Sequence, residues 1–113
     1  MRIDPNMAVD LTQEHVLIEN GVIYLHDGQS VSADSLGAPG NAFAAFCRTL
    51  DPNKSFISAF VPRVEDQELF FQARTHAAEI GVHMQATVEK PDRQRRLWQA
   101  YVEMKSIAGV ETE

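Results

Sequence analysis

The dipeptide Asn20-Gly21 constrains the fold of this chain more than any other local feature. It separates two β-rich runs within the stretch "HVLIENGVIYLHDG", residues 15–28. A two-residue type I′ turn needs positive φ at both central positions, and Asn followed by Gly meets that need best. The stretch therefore predicts a β-hairpin with Asn20 and Gly21 at its tip.

The tip also sets the register of the hairpin. Glu19 should pair with Val22, and pairing should continue away from the tip as far as His15 and His26. Side chains alternate between the two faces of a strand, so every second residue shares a face. The predicted core face consists of Val16, Ile18, Ile23 and Leu25, and the opposite face of His15, Leu17, Tyr24 and His26.

The remaining chain alternates between predicted helices and strands. The elements, in order, are a loop over residues 27–40, a helix capped by Asn41 and running to about Leu50, a strand over residues 55–61 closed by Pro62, a helix over residues 65–81 ended by Gly81, a strand over residues 82–90, and a last helix from a cap at Asp92 to about Ala108. The apolar stripe of the first helix should be Phe43, Phe46, Cys47 and Leu50.

This order, β-β-α-β-α-β-α, predicts an α+β fold. A small mixed sheet of about four strands would combine the hairpin with a β-α-β unit whose strands run parallel, and three helices would pack on it. The length of 113 residues suits one domain. We expect that domain over residues 14–113, preceded by a flexible lead over residues 1–13.

Composition narrows the classes of function. The formal net charge is -6, the chain has one cysteine, Cys47, and no apolar run approaches the roughly 20 residues that span a bilayer. We therefore expect an acidic, soluble, cytoplasmic protein without a membrane partner. No motif for a nucleotide or another cofactor is present, and none is expected to bind.

A basic segment interrupts the acidic chain. Residues 90–105 carry five cations and two anions. Lys90, Arg93, Arg95 and Arg96 could form a nucleic-acid contact, which is one alternative for the function. Projection on a helix scatters the arginines, however, where a phosphate-binding surface would prefer a continuous stripe.

The same projection predicts how the last helix packs. Its core face should consist of Leu97, Ala100, Tyr101, Met104, Ile107 and Ala108. Trp98 and Val102 point away from that arc, between Arg95 and Lys105. These four residues, here the Trp98 patch, combine types that dominate protein interfaces. They predict contact with another protein or a second copy of the chain, and the alternative is that Trp98 packs inside the domain.

The middle helix has a similar off-axis aromatic side chain. Leu69, Phe70, Ala73, Ala77 and Ile80 share one face, whereas Phe71 lies away from it beside Arg74. Phe71 either packs against another helix or adds to a partner-binding surface.

Histidines suggest a third possibility. His15 and His26 would lie opposite each other on the hairpin, but a third metal ligand on that face is not evident, so no metal site is predicted. With His83, Gln85 and Thr87 they could serve a small ligand binder or enzyme.

Residues 55–85 also resemble part of the small accessory domains of conjugative relaxases and other large polyvalent proteins of mobile elements. The matching residues are Glu65, Asp66, Ala77, Glu79 and Gly81, followed by "DRQRR" at residues 92–96. The resemblance covers about half of the chain and implies a module without catalysis. The sequence thus favours a non-enzymatic interaction or regulatory domain that uses the Trp98 patch.

Overall fold

The computed structural model describes the backbone of residues 12–111 and the side chains of residues 12–106. The strands are β1 Thr12–Glu19, β2 Val22–Tyr24, β3 Ser30–Ser32, β4 Ser55–Phe60 and β5 Met84–Ala86. The α-helices are α1 Ala42–Arg48, α2 Gln67–Ile80 and α3 Pro91–Glu111, and short 3-10 helices occupy Ala33–Ser35 and Val64–Asp66.

The strands form one mixed sheet in the order β3-β2-β1-β4-β5. β2 pairs antiparallel with both β1 and β3, while β4 pairs parallel with both β1 and β5. α2 connects the parallel strands β4 and β5, as the predicted β-α-β unit requires. The predicted α+β class with three helices on a small mixed sheet is confirmed.

The hairpin has the register that its turn predicts. Glu19 pairs with Val22, Ile18 with Ile23 and Leu17 with Tyr24. The φ angles are 56° at Asn20 and 75° at Gly21, both positive as a type I′ turn demands. The predicted core face is also confirmed, because its four aliphatic side chains are buried. Pairing with β1 ends at Tyr24, so His26 lies outside the ladder.

One strand was missed in the sequence. The predicted loop over residues 27–40 contains β3, which raises the number of strands from about four to five. Val31 pairs with Ile23 and is 3% exposed. A single apolar residue between two serines carries too little pattern to indicate a strand, and its burial beside β2 decides the structure.

Several predicted boundaries need correction. The cap at Asn41 is confirmed, since its Oδ1 accepts the N–H of Ala44 at 2.9 Å. Gly81, with φ of 103°, closes α2 as predicted. α3 begins at Pro91 instead of after an Asp92 cap, because proline is well suited to a first helical turn. Its backbone continues past Gly109, so the predicted stop near Ala108 is wrong.

The last strand is shorter than predicted. β5 covers three residues only, and Val88, which alternation assigned to the buried side, is 93% exposed. The predicted lead over residues 1–13 lies outside the described residues except for Thr12 and Gln13. These two belong to β1 and pair with Ser55 and Phe56 of β4.

Helices cover both faces of the sheet. α1 and α2 lie over the aliphatic face and complete a core of Val16, Ile18, Ile23, Leu25, Val31, Leu36, Phe43, Cys47, Ile57, Ala59, Leu69, Phe70, Ala73, Ala77, Val82 and Met84. α3 lies against the other face, where Trp98 contacts Phe60 and Tyr101 contacts His15. Among the helices described, none is long and apolar enough to cross a membrane.

Candidate functional site

The side of α3 that faces the sheet is more polar than the sequence predicted. Gln94 is 5% exposed; its Oε1 accepts the N–H of Val61 at 2.7 Å, and its Nε2 donates to the carbonyl of Glu89 at 2.7 Å. Tyr101 is buried about two turns further along the helix, and Trp98 lies between Gln94 and Tyr101 in the sequence. The contact of α3 with the sheet therefore includes an amide side chain, Gln94, and two amphipathic aromatic side chains, Trp98 and Tyr101.

The predicted core arc of α3 is wrong in part. Tyr101 is buried and Leu97 half-buried, but Ala100 is exposed and Met104 is 57% exposed. Ile107 and Ala108 lie outside the residues whose side chains are described. The helix is rotated away from its hydrophobic projection because the strand it faces, β1, presents Glu14, His15 and Glu19. Cations and hydrogen-bond donors on the helix match those groups better than Met104 does.

Trp98 and its neighbours lie partly against this face of the sheet. The Trp98 ring is 6.5 Å from the ring of Phe60 and 5.8 Å from that of Tyr101, measured between centroids, and the side chain remains partly exposed. Val102 is also half-buried. Trp98 and Val102 are thus each buried in part against the domain and exposed in part to solvent.

The two cations of the patch hold carboxylates of β1. Arg95 binds Glu19 Oε2 through Nε at 3.0 Å and Nη2 at 2.5 Å, and this hydrogen bond raises the pKa of the guanidinium. Lys105 Nζ lies 3.0 Å from Glu14 Oε1 and 5.5 Å from the centre of the Tyr101 ring. Both residues therefore fasten α3 to β1.

Glu14 is the most buried acidic group beneath α3. It is 7% exposed, and its Oε1 accepts the Tyr101 hydroxyl hydrogen at 2.6 Å in addition to its pairing with Lys105. Glu14 has the strand parity of Val16, yet its carboxylate contacts α3. Within the described residues, β2 pairs with β1 no further than Leu17, so Glu14 has β4 as its only paired neighbour there.

The two hairpin histidines lie on either side of Tyr101. Its ring is 4.8 Å from His15 and 5.9 Å from His26, in edge-on geometry. His15 also stacks on Phe60 at 4.6 Å and places Nδ1 2.9 Å from the Ser58 carbonyl. Burial lowers the pKa of His15 from its ordinary value of 6.5. These rings are engaged in packing.

Residues suited to metal binding or nucleophilic chemistry do not converge. Over the described range, no three His, Cys, Asp or Glu side chains are close enough to hold a metal ion. Cys47 is fully buried, and burial raises the pKa of its thiol to about 12, which keeps it protonated and unreactive. His83 and Gln85 are exposed at 3.4 Å from each other, while Thr87 shares a hydrogen bond with Ser58.

An open groove with two apolar side chains, Val64 and Phe71, lies along the outer side of α2. Phe71 is 50% exposed and Val64 is 68% exposed, two helical turns apart. They line an open groove of about 540 Å³ together with Glu65, Gln67, Glu68, Gln72 and Thr75. The Arg74 guanidinium lies 5.1 Å from the centre of the Phe71 ring and covers part of it. About half of the Phe71 side chain therefore stays accessible to solvent.

The basic segment is divided by ion pairs. Arg93 Nε lies 2.9 Å from Glu89 Oε1, and Arg95 is held by Glu19 on a different side of the helix. Lys90, Arg93 and Arg96 line a hollow of about 530 Å³ with Pro91 and Asp92. The structure thus brings together three of the four predicted nucleic-acid contacts and separates Arg95 from them.

Sequence reasoning missed Asp66, the acidic residue that binds the backbone of the hairpin turn. Asp66, 6% exposed, accepts the backbone N–H of Asn20 at 2.9 Å and that of Gly21 at 2.8 Å. Arg63 Nη1 donates to Asn20 Oδ1 at 2.7 Å. The free N–H groups of a type I′ turn could have suggested an acceptor, but nothing local identifies a residue 46 positions away.

Comparisons with protein-family models, curated proteins and solved structures found no match.

Proposed function

We propose that this chain is a protein-binding domain without chemistry of its own, and that it holds its partner in the groove along α2. The observation that carries the proposal is the exposure of Phe71 and Val64 in one groove. Half of a phenylalanine ring left in solvent costs hydrophobic free energy that a partner would recover. Aromatic anchors of this kind dominate the affinity of protein interfaces.

The charge around the groove indicates the chemistry of the partner. Glu65 and Glu68 border the two apolar side chains, and the whole chain has a net charge of -6. Arg63 neutralises Glu65 in part through a 2.9 Å ion pair. A segment that places an aliphatic or aromatic side chain next to Lys or Arg would satisfy both the apolar floor and the acidic border.

Other features agree with a binding role. The resemblance to accessory domains of mobile-element proteins supports a module that acts by contact. The absence of a convergent catalytic set among the described residues supports the same reading. A single buried cysteine, Cys47, suits a cytoplasmic protein, because the reducing cytoplasm keeps thiols free.

The test uses two short peptides of equal apolar content, one with lysines beside a leucine and one with glutamates in their place. Amide chemical shifts of the isotopically labelled protein should change around Phe71 and Val64 with the basic peptide only. The variant Phe71→Ser should weaken binding at least about tenfold. Val88→Ser is the matched control, because Val88 is 93% exposed and outside the groove.

Two results would overturn the groove as a binding site. One is equal binding of the acidic and basic peptides, which would remove the charge argument. The other is an unchanged affinity in Phe71→Ser alongside shifts elsewhere on the domain. The second result would place the contact on another surface.

Nucleic-acid binding is the second candidate function. The observation in its favour is the hollow lined by Lys90, Arg93 and Arg96. Against it, Asp92 lines the same hollow and Glu89 pairs with Arg93, so the local positive charge is reduced. Phosphate contacts depend on uncompensated cations, which makes this candidate the weaker of the two.

A further inference from the structure

One flank of α3, beside the side that contacts the sheet, carries a partly exposed apolar stripe. Leu97 is partly buried, Ala100 is exposed and Met104 is 57% exposed. At 100° per residue these three side chains fall within about 60° of one another. They are called the outer stripe below. This is the surface that the hydrophobic pattern assigned to the core, and in the isolated chain part of it remains in water.

We propose that the outer stripe is the contact between two copies of this chain, with the two α3 helices antiparallel and crossing at Ala100. A twofold axis through Ala100 makes each contact occur twice and closes the assembly as a dimer. The methyl side chain of Ala100 allows close approach of the backbones at the crossing point. Leu97 and Met104 lie on either side of it and fill the space between the helices.

Charge selects the antiparallel arrangement. Arg96 precedes Ala100 by four residues, Glu103 follows it by three, and both are exposed. The twofold axis brings Arg96 of one copy beside Glu103 of the other, twice. A parallel pair would place these residues of the two copies on opposite sides of the contact, so neither ion pair would form. Glu103 is available for this contact, since within the described residues its hydrogen bond with Gln99 is long, at 3.5 Å.

The size of the surface predicts a weak dimer. One helix crossing with three apolar side chains per copy buries less than the roughly 1,200 Å² that marks a stable interface. We therefore expect a reversible dimer with a dissociation constant on the order of 100 μM. Because the dimer is weak and its ion pairs are exposed, its population should depend on protein concentration and on salt.

This contact is independent of the groove on α2. α2 packs on the aliphatic face of the sheet, whereas α3 packs on the other face, so a partner in the groove and a second copy on α3 can bind together. A dimer would present two grooves to a partner. Failure of the peptide experiment would leave the dimer unaffected, and the reverse also holds.

Cysteine cross-linking tests the crossing point directly. Cys47 is buried and its thiol protonated, so a new surface cysteine is the only reactive one among the described residues. Under mild oxidation, Ala100→Cys should form a disulfide-linked dimer rapidly, because the twofold axis brings the two sulfur atoms together. Ala78→Cys is the matched control on an exposed position of α2 and should form far less. Equal cross-linking of the two variants would overturn the proposal.

Charge exchange tests the orientation. Sedimentation velocity over a range of protein concentrations should show dimer formation in the unmodified chain. Arg96→Glu and Glu103→Arg should each weaken the dimer several-fold, and the double variant should restore it. A double variant that stays monomeric would overturn the antiparallel arrangement. A chain that remains monomeric at millimolar concentration would overturn the dimer itself.

Discussion

The Tyr101 hydroxyl donates a 2.6 Å hydrogen bond to Glu14 Oε1, joining the last helix to the first strand across 87 positions of sequence. The acceptor is 7% exposed and the donor 6% exposed. Burial, followed by the hydrogen bond to Glu14, raises the pKa of the Tyr101 hydroxyl, so it remains a donor throughout the usual pH range. This pair holds α3 on the sheet at the point where Lys105 also reaches Glu14.

Removal of that hydrogen bond should destabilise the domain. Tyr101→Phe keeps the ring and leaves a buried carboxylate oxygen with Lys105 as its remaining partner. We expect the free energy of unfolding to fall by about 1–3 kcal/mol, measured by urea denaturation. Tyr24→Phe is the control, because Tyr24 is 37% exposed and should change stability by less than about 0.5 kcal/mol. Equal effects would show that the hydroxyl of Tyr101 contributes nothing particular.

The hairpin tip depends on Asp66. Its carboxylate accepts two backbone N–H groups of the turn, at Asn20 and Gly21, and is 6% exposed. Asp66→Ala should lower the free energy of unfolding by about 2–3 kcal/mol, since it leaves two donors of the turn without an acceptor. Asp34→Ala, at an exposed acidic position in a 3-10 helix, serves as the control. Hydrogen exchange of the Asn20 and Gly21 amides should accelerate in Asp66→Ala alone.

Stability should depend on the protonation of His15. Its folded-state pKa lies below the ordinary value of 6.5 because burial disfavours the charged ring. The unfolded chain therefore binds more protons than the folded chain just below pH 6.5. The contribution of neutral His15 is complete above that pH and is lost as the pH falls through the lowered folded-state pKa.

Denaturation curves between pH 5 and pH 8 can measure this effect, with the pH window set by the lowered pKa of His15. His15→Gln should flatten the fall in stability on the acidic side. His83→Gln, at an exposed position, is the comparison variant. If His83→Gln flattens the profile equally, the assignment to His15 is incorrect.

The orientation of α3 predicts a large loss of stability when Trp98 is truncated and a small loss when Met104 is truncated. Trp98 contacts Phe60 and Tyr101, so Trp98→Ala should cost about 2–3 kcal/mol of unfolding free energy. Met104 is 57% exposed, and Met104→Ala should cost less than about 0.5 kcal/mol in the monomer. The hydrophobic projection from sequence predicts the reverse order. Thermal or urea unfolding at low protein concentration decides between the two orientations.

Nucleic acid should bind weakly and without a defined footprint. Arg93 and Arg95 are ion-paired with Glu89 and Glu19, so few phosphate contacts can form without breaking a bond in the domain. In a gel-shift experiment with mixed-sequence DNA and RNA, we expect no discrete complex at physiological salt. A discrete complex that disappears in the Lys90→Ala, Arg96→Ala double variant would instead support the second candidate function.

The hairpin shows how far local sequence reasoning extends. Turn conformation depends on the residues of the turn itself, and Asn20-Gly21 admits few alternatives. The register and the core face of β1 and β2 follow from that one constraint. The capping of α1 by Asn41 and the end of α2 at Gly81 are local in the same sense. The short strand β3 was missed because Val31 has no pattern around it, and its pairing with β2 supplies the missing information.

The candidate surfaces show where local reasoning ends. Phe71 was identified as an off-axis aromatic residue, and sequence left open whether another helix would cover it. Arg95 and Lys105 were identified as cations beside Trp98, but their carboxylate partners lie 76 and 91 positions away in the chain. No spacing rule connects such distant positions. The predicted contact face of α3 is therefore the face that secures it to the sheet.

The sequence by itself determined the class of fold, the hairpin with its register, and the face that α1 and α2 cover, because turn chemistry and hydrophobic periodicity are local. Only the tertiary structure decided which side of α3 meets the sheet. β1 presents Glu14, His15 and Glu19 to that helix, and buried carboxylates require donors and cations in reach. That requirement is met by Arg95, Tyr101 and Lys105, so these contacts, and not the burial of Met104, decide the orientation of the helix.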